Sequence, residues 1–275
     1  MLKRLTTKAL LIFLLAGASS LANAAEVSFF ELKSGAGFFR DLQLPRWDLI
    51  SEDINVRADG STVSKDNGNH FGFPVEASYT YRYSEKLWSV DASARMTLIK
   101  HVLGDEETSA ASFQRINLSA RPSYKGRYLG IPYRVGGYIS LNRNDYLNVS
   151  SGHTLTSLLA GPMLEAGSLK NLRVEGTYLY SLNPTFSYRN SGEYFNLKSL
   201  EGSASSHQII KLEGSRYLGR KLIGVASYEL DYAAVNVKDV GEYVNFGLVV
   251  DPYQEPERDY ELETHIITIG VRKIF

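Results

Sequence analysis

Five histidines carry the side chains best suited to proton transfer or metal ligation, namely His70, His101, His153, His207 and His265. Imidazole changes charge near neutral pH, so a cluster could serve as a base, a metal site or a pH sensor. Three readings stay open: polar boundary residues, a pH-responsive gate, or a metal or hydrolytic site completed by Asp105, Glu106 or Asp145. His207 beside Ser205 and Ser206 is the nearest approach to a base next to a nucleophile. Sharper signatures are missing from the sequence: it has no G-x-S-x-G, no H-E-x-x-H and no phosphate-binding lysine loop. Gly35-Ala-Gly37 lacks the third glycine of a dinucleotide site, and Arg57 and Ala58 interrupt the run of oxygens after Asp53 that a calcium loop needs. No cofactor and no metal site follow from these residues.

A second set of candidates is charged and falls on one parity of alternating stretches: Glu76, Arg82, Asp91, Arg95, Arg115, Arg121, Arg134, Glu165, Arg173, Glu175, Lys211, Glu213, Glu229, Asp231 and Arg272. Eight are cations and seven anions. Near balance in a confined interior favours a paired ladder, because an unpartnered desolvated charge is very costly. A charge-lined conduction path is the functional alternative.

The elements that must hold these residues are strands. In FGFPVEASYTYRYS, Phe71, Phe73, Val75, Ala77, Tyr79, Tyr81 and Tyr83 share one face, and Glu76, Ser78, Thr80 and Arg82 the other. The pattern resumes from Trp88 to Leu98 and recurs along the chain, giving ten strands from about 27–40 to about 259–275. The segment 154–167 is apolar on both faces, and 206–217 alternates weakly. Short breaks near 85–86, 125–130, 168–170 and 218–221 interleave with long ones near 41–70, 101–112, 144–153, 183–205 and 235–258. Alternating short turns and long loops predict a closed antiparallel transmembrane β-barrel, all-β, since a sheet survives in lipid only without free edges. Apolar faces then meet lipid and charged faces the lumen. Tyr81, Tyr83, Trp88, Tyr124, Tyr133 and Phe275 fall near the short turns, as an interfacial girdle would.

The first residues address the compartment. Lys3, Arg4 and Lys8 precede an apolar run to about Leu21, and Ala22-Asn23-Ala24 is a small-x-small cleavage site, so 1–24 reads as a signal peptide and 25–275 as the barrel domain. Without that leader 27 Lys and Arg face 30 Asp and Glu, which argues against nucleic acid as a partner. The chain has no cysteine, which excludes a disulfide scaffold.

A leader, alternating strands and a terminal Phe275 preceded by Val271, Ile269 and Ile267 resemble bacterial outer-membrane β-barrel proteins. The resemblance implies residence in a Gram-negative outer membrane. VRKIF looks like the assembly signal of that class, which implies recognition by the outer-membrane assembly machinery, although Lys273 takes a position usually apolar. Proteases of the omptin type also have ten strands, but this chain shows no Asp-x-His and no second acidic pair at matching strand ends. Lipid and lipopolysaccharide are the expected surroundings, with an unknown extracellular partner for the loops. The long connections hold 17 acids against 7 bases, concentrated in GDEETS at 104–109 and DPYQEPERDYELE from 251. The reading is a non-enzymatic scaffold displaying loops. The alternatives are a narrow, pH-gated channel, or a protease or lipid hydrolase with a histidine site at the extracellular rim.

Overall fold

The computed structural model describes residues 25–41, 68–101, 112–147, 151–182, 184–190, 199–240, 243–245, 248–251 and 258–275. The acidic stretch 104–109 and most of the long loops lie outside them, as do residues 1–24. Among the described residues every regular element is a strand. In chain order these are β1 (Ala25–Asp41), β2 (Gly68–Ser84), β3 (Trp88–His101), β4 (Ser112–Tyr128), β5 (Ile131–Leu147), β6 (Ser151–Ser168), β7 (Leu172–Ser181), β8 (Thr185–Asn190), β9 (Ser199–Gly219), β10 (Leu222–Val240), β11 (Tyr243–Asn245), β12 (Leu248–Asp251) and β13 (Arg258–Ile274).

One antiparallel sheet closes on itself. Its order runs β5-β4-β3-β2-β1-β13-β10-β9-β7-β6-β8, and β5 also pairs with β6. Both β7 and β8 pair with β6, β7 along its lower half and β8 along its upper half, so they share one place in a ten-position barrel. The closing seam joins β1 to β13 from Phe29↔Ile274 to Arg40↔Glu263. At Gly35 a Cβ would collide with the Ile267 carbonyl across that seam, which explains a glycine there without a nucleotide site. At the short-turn end, Leu129-Gly130 and Arg220-Lys221 have paired positive φ (50° and 80°, 49° and 61°), the twist that two-residue hairpins require.

The strand limits depart from the alternation at three places. The gap between β5 and β6 is only 148–150, because both strands continue with Asn144, Tyr146 and His153 facing inward. Residues 185–190 form β8 rather than loop, and β9 starts at Ser199. In the last long connection, near 235–258, β11 and β12 pair antiparallel with each other instead of lying in an unpaired loop.

The outer surface is apolar over most of its height. Phe30, Leu32, Val75, Met96, Ile139, Leu164, Val174, Ile267 and Ile269 are all exposed there, which in water would be untenable and in lipid is required. Trp88, Tyr124 and Phe275 are exposed near the short turns, with Tyr83 and Trp88 rings 5.2 Å apart. Lys273 Nζ lies 5.1 Å from the Phe275 ring centroid, so its charge sits beside that interfacial ring.

Candidate functional site

All fifteen charged residues expected inside are held in ion pairs within the barrel. Nearest the short turns, Asp91 accepts a two-pronged contact from Arg82, Nε to Oδ1 at 2.7 Å and Nη2 to Oδ2 at 2.8 Å, and Arg121 and Arg134 share Oδ2 at 3.3 and 3.1 Å. Glu165 joins Arg134 at 3.1 Å and Arg173 at 3.7 Å, while Glu175 takes Arg121 at 3.0 Å. Higher up, Arg272 bridges Glu31 and Glu213 at 2.5 and 2.6 Å, and Lys211 adds a 3.2 Å contact to Glu213. Lys33 bridges Glu31 at 2.9 Å and Glu76 at 2.5 Å. Glu31 and Lys33 were not among the expected lumen charges. Their signal is the alternation of β1, where Phe30 and Leu32 face lipid and put 31 and 33 inside.

Several of these contacts cross the lumen rather than run along the wall. Arg95 on β3 meets Glu229 on β10 at 2.6 Å, and Arg115 on β4 meets both Glu229 and Asp231 on β10. Arg115 has no exposed surface. In so dry a setting every donor needs a partner, and Asn144 takes Arg115 Nε at 3.1 Å.

Above this level the interior changes character. Phe39, Ile99, Phe113, Tyr146, Leu155, Phe186, Val235, Leu262 and Ile266 pack into a buried cluster. A smaller one joins Leu159, Leu179 and Ile209 with Tyr138 against them. The lumen is thus filled by salt bridges below and by hydrocarbon and aromatic rings above.

The histidines have separate environments. His70 stacks on Phe39 (centroids 4.9 Å apart) and His153 on Tyr146 (4.4 Å), so both are buried parts of the apolar layer. The side chain of His101 lies outside the described residues. His265 faces outward, with Nε2 2.8 Å from Glu263 and Nδ1 2.9 Å from the Tyr228 hydroxyl. His207 sits within β9, deep in the wall's inner face, with Nε2 2.7 Å from Asp231 Oδ1 and Nδ1 2.6 Å from Ser157 Oγ. Its hydroxyl partner is therefore Ser157, not the adjacent Ser205 or Ser206. No spacing could have revealed that, since Ser157 lies on another strand, 50 residues away.

Asp231 is fixed further by Arg115 at 2.5 Å and by the Asn144 amide at 2.8 Å. A carboxylate on Nε2 holds the Nε2–H tautomer, which leaves Nδ1 to accept the proton of Ser157 Oγ–H. That is the arrangement of an activated serine. Beside it β9 carries a bulge: Ala234 pairs with Ser206 but Val235 with Ala204, so Ser205 is the extra residue.

No protein-family model matches the chain, and no curated protein matches it. Solved structures do. The outer membrane protease OmpT from Escherichia coli aligns with 94% of this chain and 99% of its own at a TM-score of 0.50 and 8% identity. Neisserial surface protein A aligns over 90% and 98% with a TM-score of 0.36 and 11% identity. OprG from Pseudomonas aeruginosa aligns over 90% and 96% with a TM-score of 0.35 and 12% identity. At such identities the first likeness speaks for the fold alone, and the fold is that of bacterial outer-membrane β-barrels.

Proposed function

We propose that this protein is an integral outer-membrane barrel of a Gram-negative bacterium that does not conduct, a rigid scaffold whose extracellular loops make surface contacts. One observation carries the reading. Arg95–Glu229 and Arg115–Asp231 tie opposite walls together, and an aromatic and aliphatic layer lies above them. A ten-position barrel encloses little more room than side chains fill, so such a lumen leaves no water column. The narrow-channel alternative needs the ladder to part, which would strand buried charges.

In this reading lipid and lipopolysaccharide surround the apolar wall, and the loops meet an extracellular partner. The assembly machinery recognises the last strand through Ile267, Ile269, Val271 and Phe275, all of which are exposed on the outer face. Two experiments test it. Liposomes carrying the refolded protein should not swell in small-sugar solutions, and swelling above that of protein-free liposomes would sink the scaffold reading. Cells displaying the wild type should bind host cells or matrix better than cells displaying a loop-trimmed barrel, and equal binding would remove the contact role.

A further inference from the structure

Beyond the scaffold reading, we infer that Ser157, His207 and Asp231 form a serine-hydrolase site for acyl esters of outer-leaflet lipids, reached sideways through the barrel wall between β8 and β9. The three residues come from β6, β9 and β10 and meet at 2.6 and 2.7 Å. Between β6 and β9 lies the place shared by β7 and β8, and there the hydrogen-bond ladder to β9 stops, although β8 still lies beside β9 and covers the site. β7 ends at Ser181, β8 starts at Thr185, and Pro184 has no N–H to give. Below the interruption β7 pairs with β9 up to Tyr180↔Gln208. Above it, among the described residues, β8 pairs with β6 alone. The ladder ends one residue from His207, and Ser157 lies on the far side of the unpaired β8–β9 seam.

Depth fits the substrate. Asp231 is nine residues above Leu222, Ser157 eleven above Ser168 and His207 twelve above Gly219. At ~2.5 Å of climb per tilted residue, the site lies ~23–30 Å above the short turns, the outer edge of a ~25 Å apolar band. Lipid esters sit at that boundary. Parting β8 from β9 breaks no ladder, and Leu155, Leu159, Leu179 and Ile209 around the site would take an acyl chain. Asn142 stands directly across from Ser157 in register and offers an amide to an oxyanion.

The reaction balances with water as co-reactant. Ser157 Oγ attacks the ester carbonyl carbon while its proton passes to His207 Nδ1, and the carbonyl electron pair moves to oxygen. Collapse of that intermediate breaks the bond to the alcohol, which leaves with the proton from His207. Water, deprotonated by His207, then attacks the acyl-serine and releases a fatty acid with Ser157 restored.

The test uses full-length protein refolded into two kinds of vesicle, phosphatidylethanolamine alone and phosphatidylethanolamine with lipopolysaccharide, and a fluorophosphonate probe. Folding is verified by the shift of the unheated band on gels. The expected result is a probe adduct on the peptide containing Ser157, none in Ser157→Ala, and labelling at least about 10³-fold slower in His207→Gln. Fatty acid should appear from one or both vesicles and vanish in Ser157→Ala, and the vesicle that yields it names the lipid. A folded wild type that stays unlabelled, is labelled elsewhere, or releases no fatty acid overturns the proposal. Conductance plays no part in this readout, so its failure is separate from that of the scaffold reading.

Discussion

Replacing Arg115 by Met should be among the most damaging single changes in the lumen. Arg115 is fully buried, contacts Glu229 and Asp231 across the barrel, and gives Nε to Asn144. Removing one member of a buried ionic network typically costs about 3–5 kcal/mol, because the remaining charge stays desolvated. Here Glu229 keeps Arg95 and Asp231 keeps His207, so the lower end, about 3 kcal/mol, is expected. The assay is urea unfolding of the refolded barrel followed by tryptophan fluorescence, to which Trp88, facing outward at the short-turn girdle, contributes beside Trp47. Arg143→Met is the control. Its side chain is 58% exposed and pairs with Asp145 at 3.0 Å on the outer face, so its loss should cost under about 1 kcal/mol. If both variants unfold alike, the cross-lumen ladder does not hold the barrel together and the reasoning fails.

Three further outcomes follow from the same geometry. Ile269→Arg places a charge on the lipid face six residues above Phe275, near mid-band, and should lower stability by about 2–4 kcal/mol in vesicles, with a much smaller loss in detergent. Deleting Phe275 removes the exposed terminal ring and its backbone bond to the Ser28 carbonyl at 3.0 Å; surface protein in cells should fall several-fold while refolding in vitro changes little. Equal surface levels would remove the assembly role. N-terminal sequencing of protein taken from the outer membrane should begin at Ala25, and an N-terminus at Met1 would refute the leader.

The wall was largely legible in the sequence because lipid imposes the same two-residue period on every strand. β2 shows this well: each odd residue from Phe71 to Tyr83 faces outward, and Glu76 and Arg82 face in. The upper lumen was harder to read. β6 is apolar on both faces because Leu155, Leu159 and Met163 fill the interior while Leu158 and Leu164 meet lipid, which erases the alternation. β8 was hidden behind Pro184, where the broken ladder mimics a loop. Ser157 was invisible as a partner of His207, since only the folded barrel brings β6 and β9 side chains 50 residues apart together. The register of β9 also shifts at Ser205, so parity counted up from the short turn gives the wrong face above the bulge.

Planar-bilayer recording tests the central claim most directly. A barrel spanned by Arg95–Glu229 and Arg115–Asp231 beneath a packed aromatic layer should insert without producing discrete current steps in molar salt at neutral pH. A variant with Arg95, Arg115, Glu229 and Asp231 all changed to Gly, which empties that level, serves as the positive control. Reproducible unitary steps from the folded wild type, abolished when protein is omitted, would contradict the account.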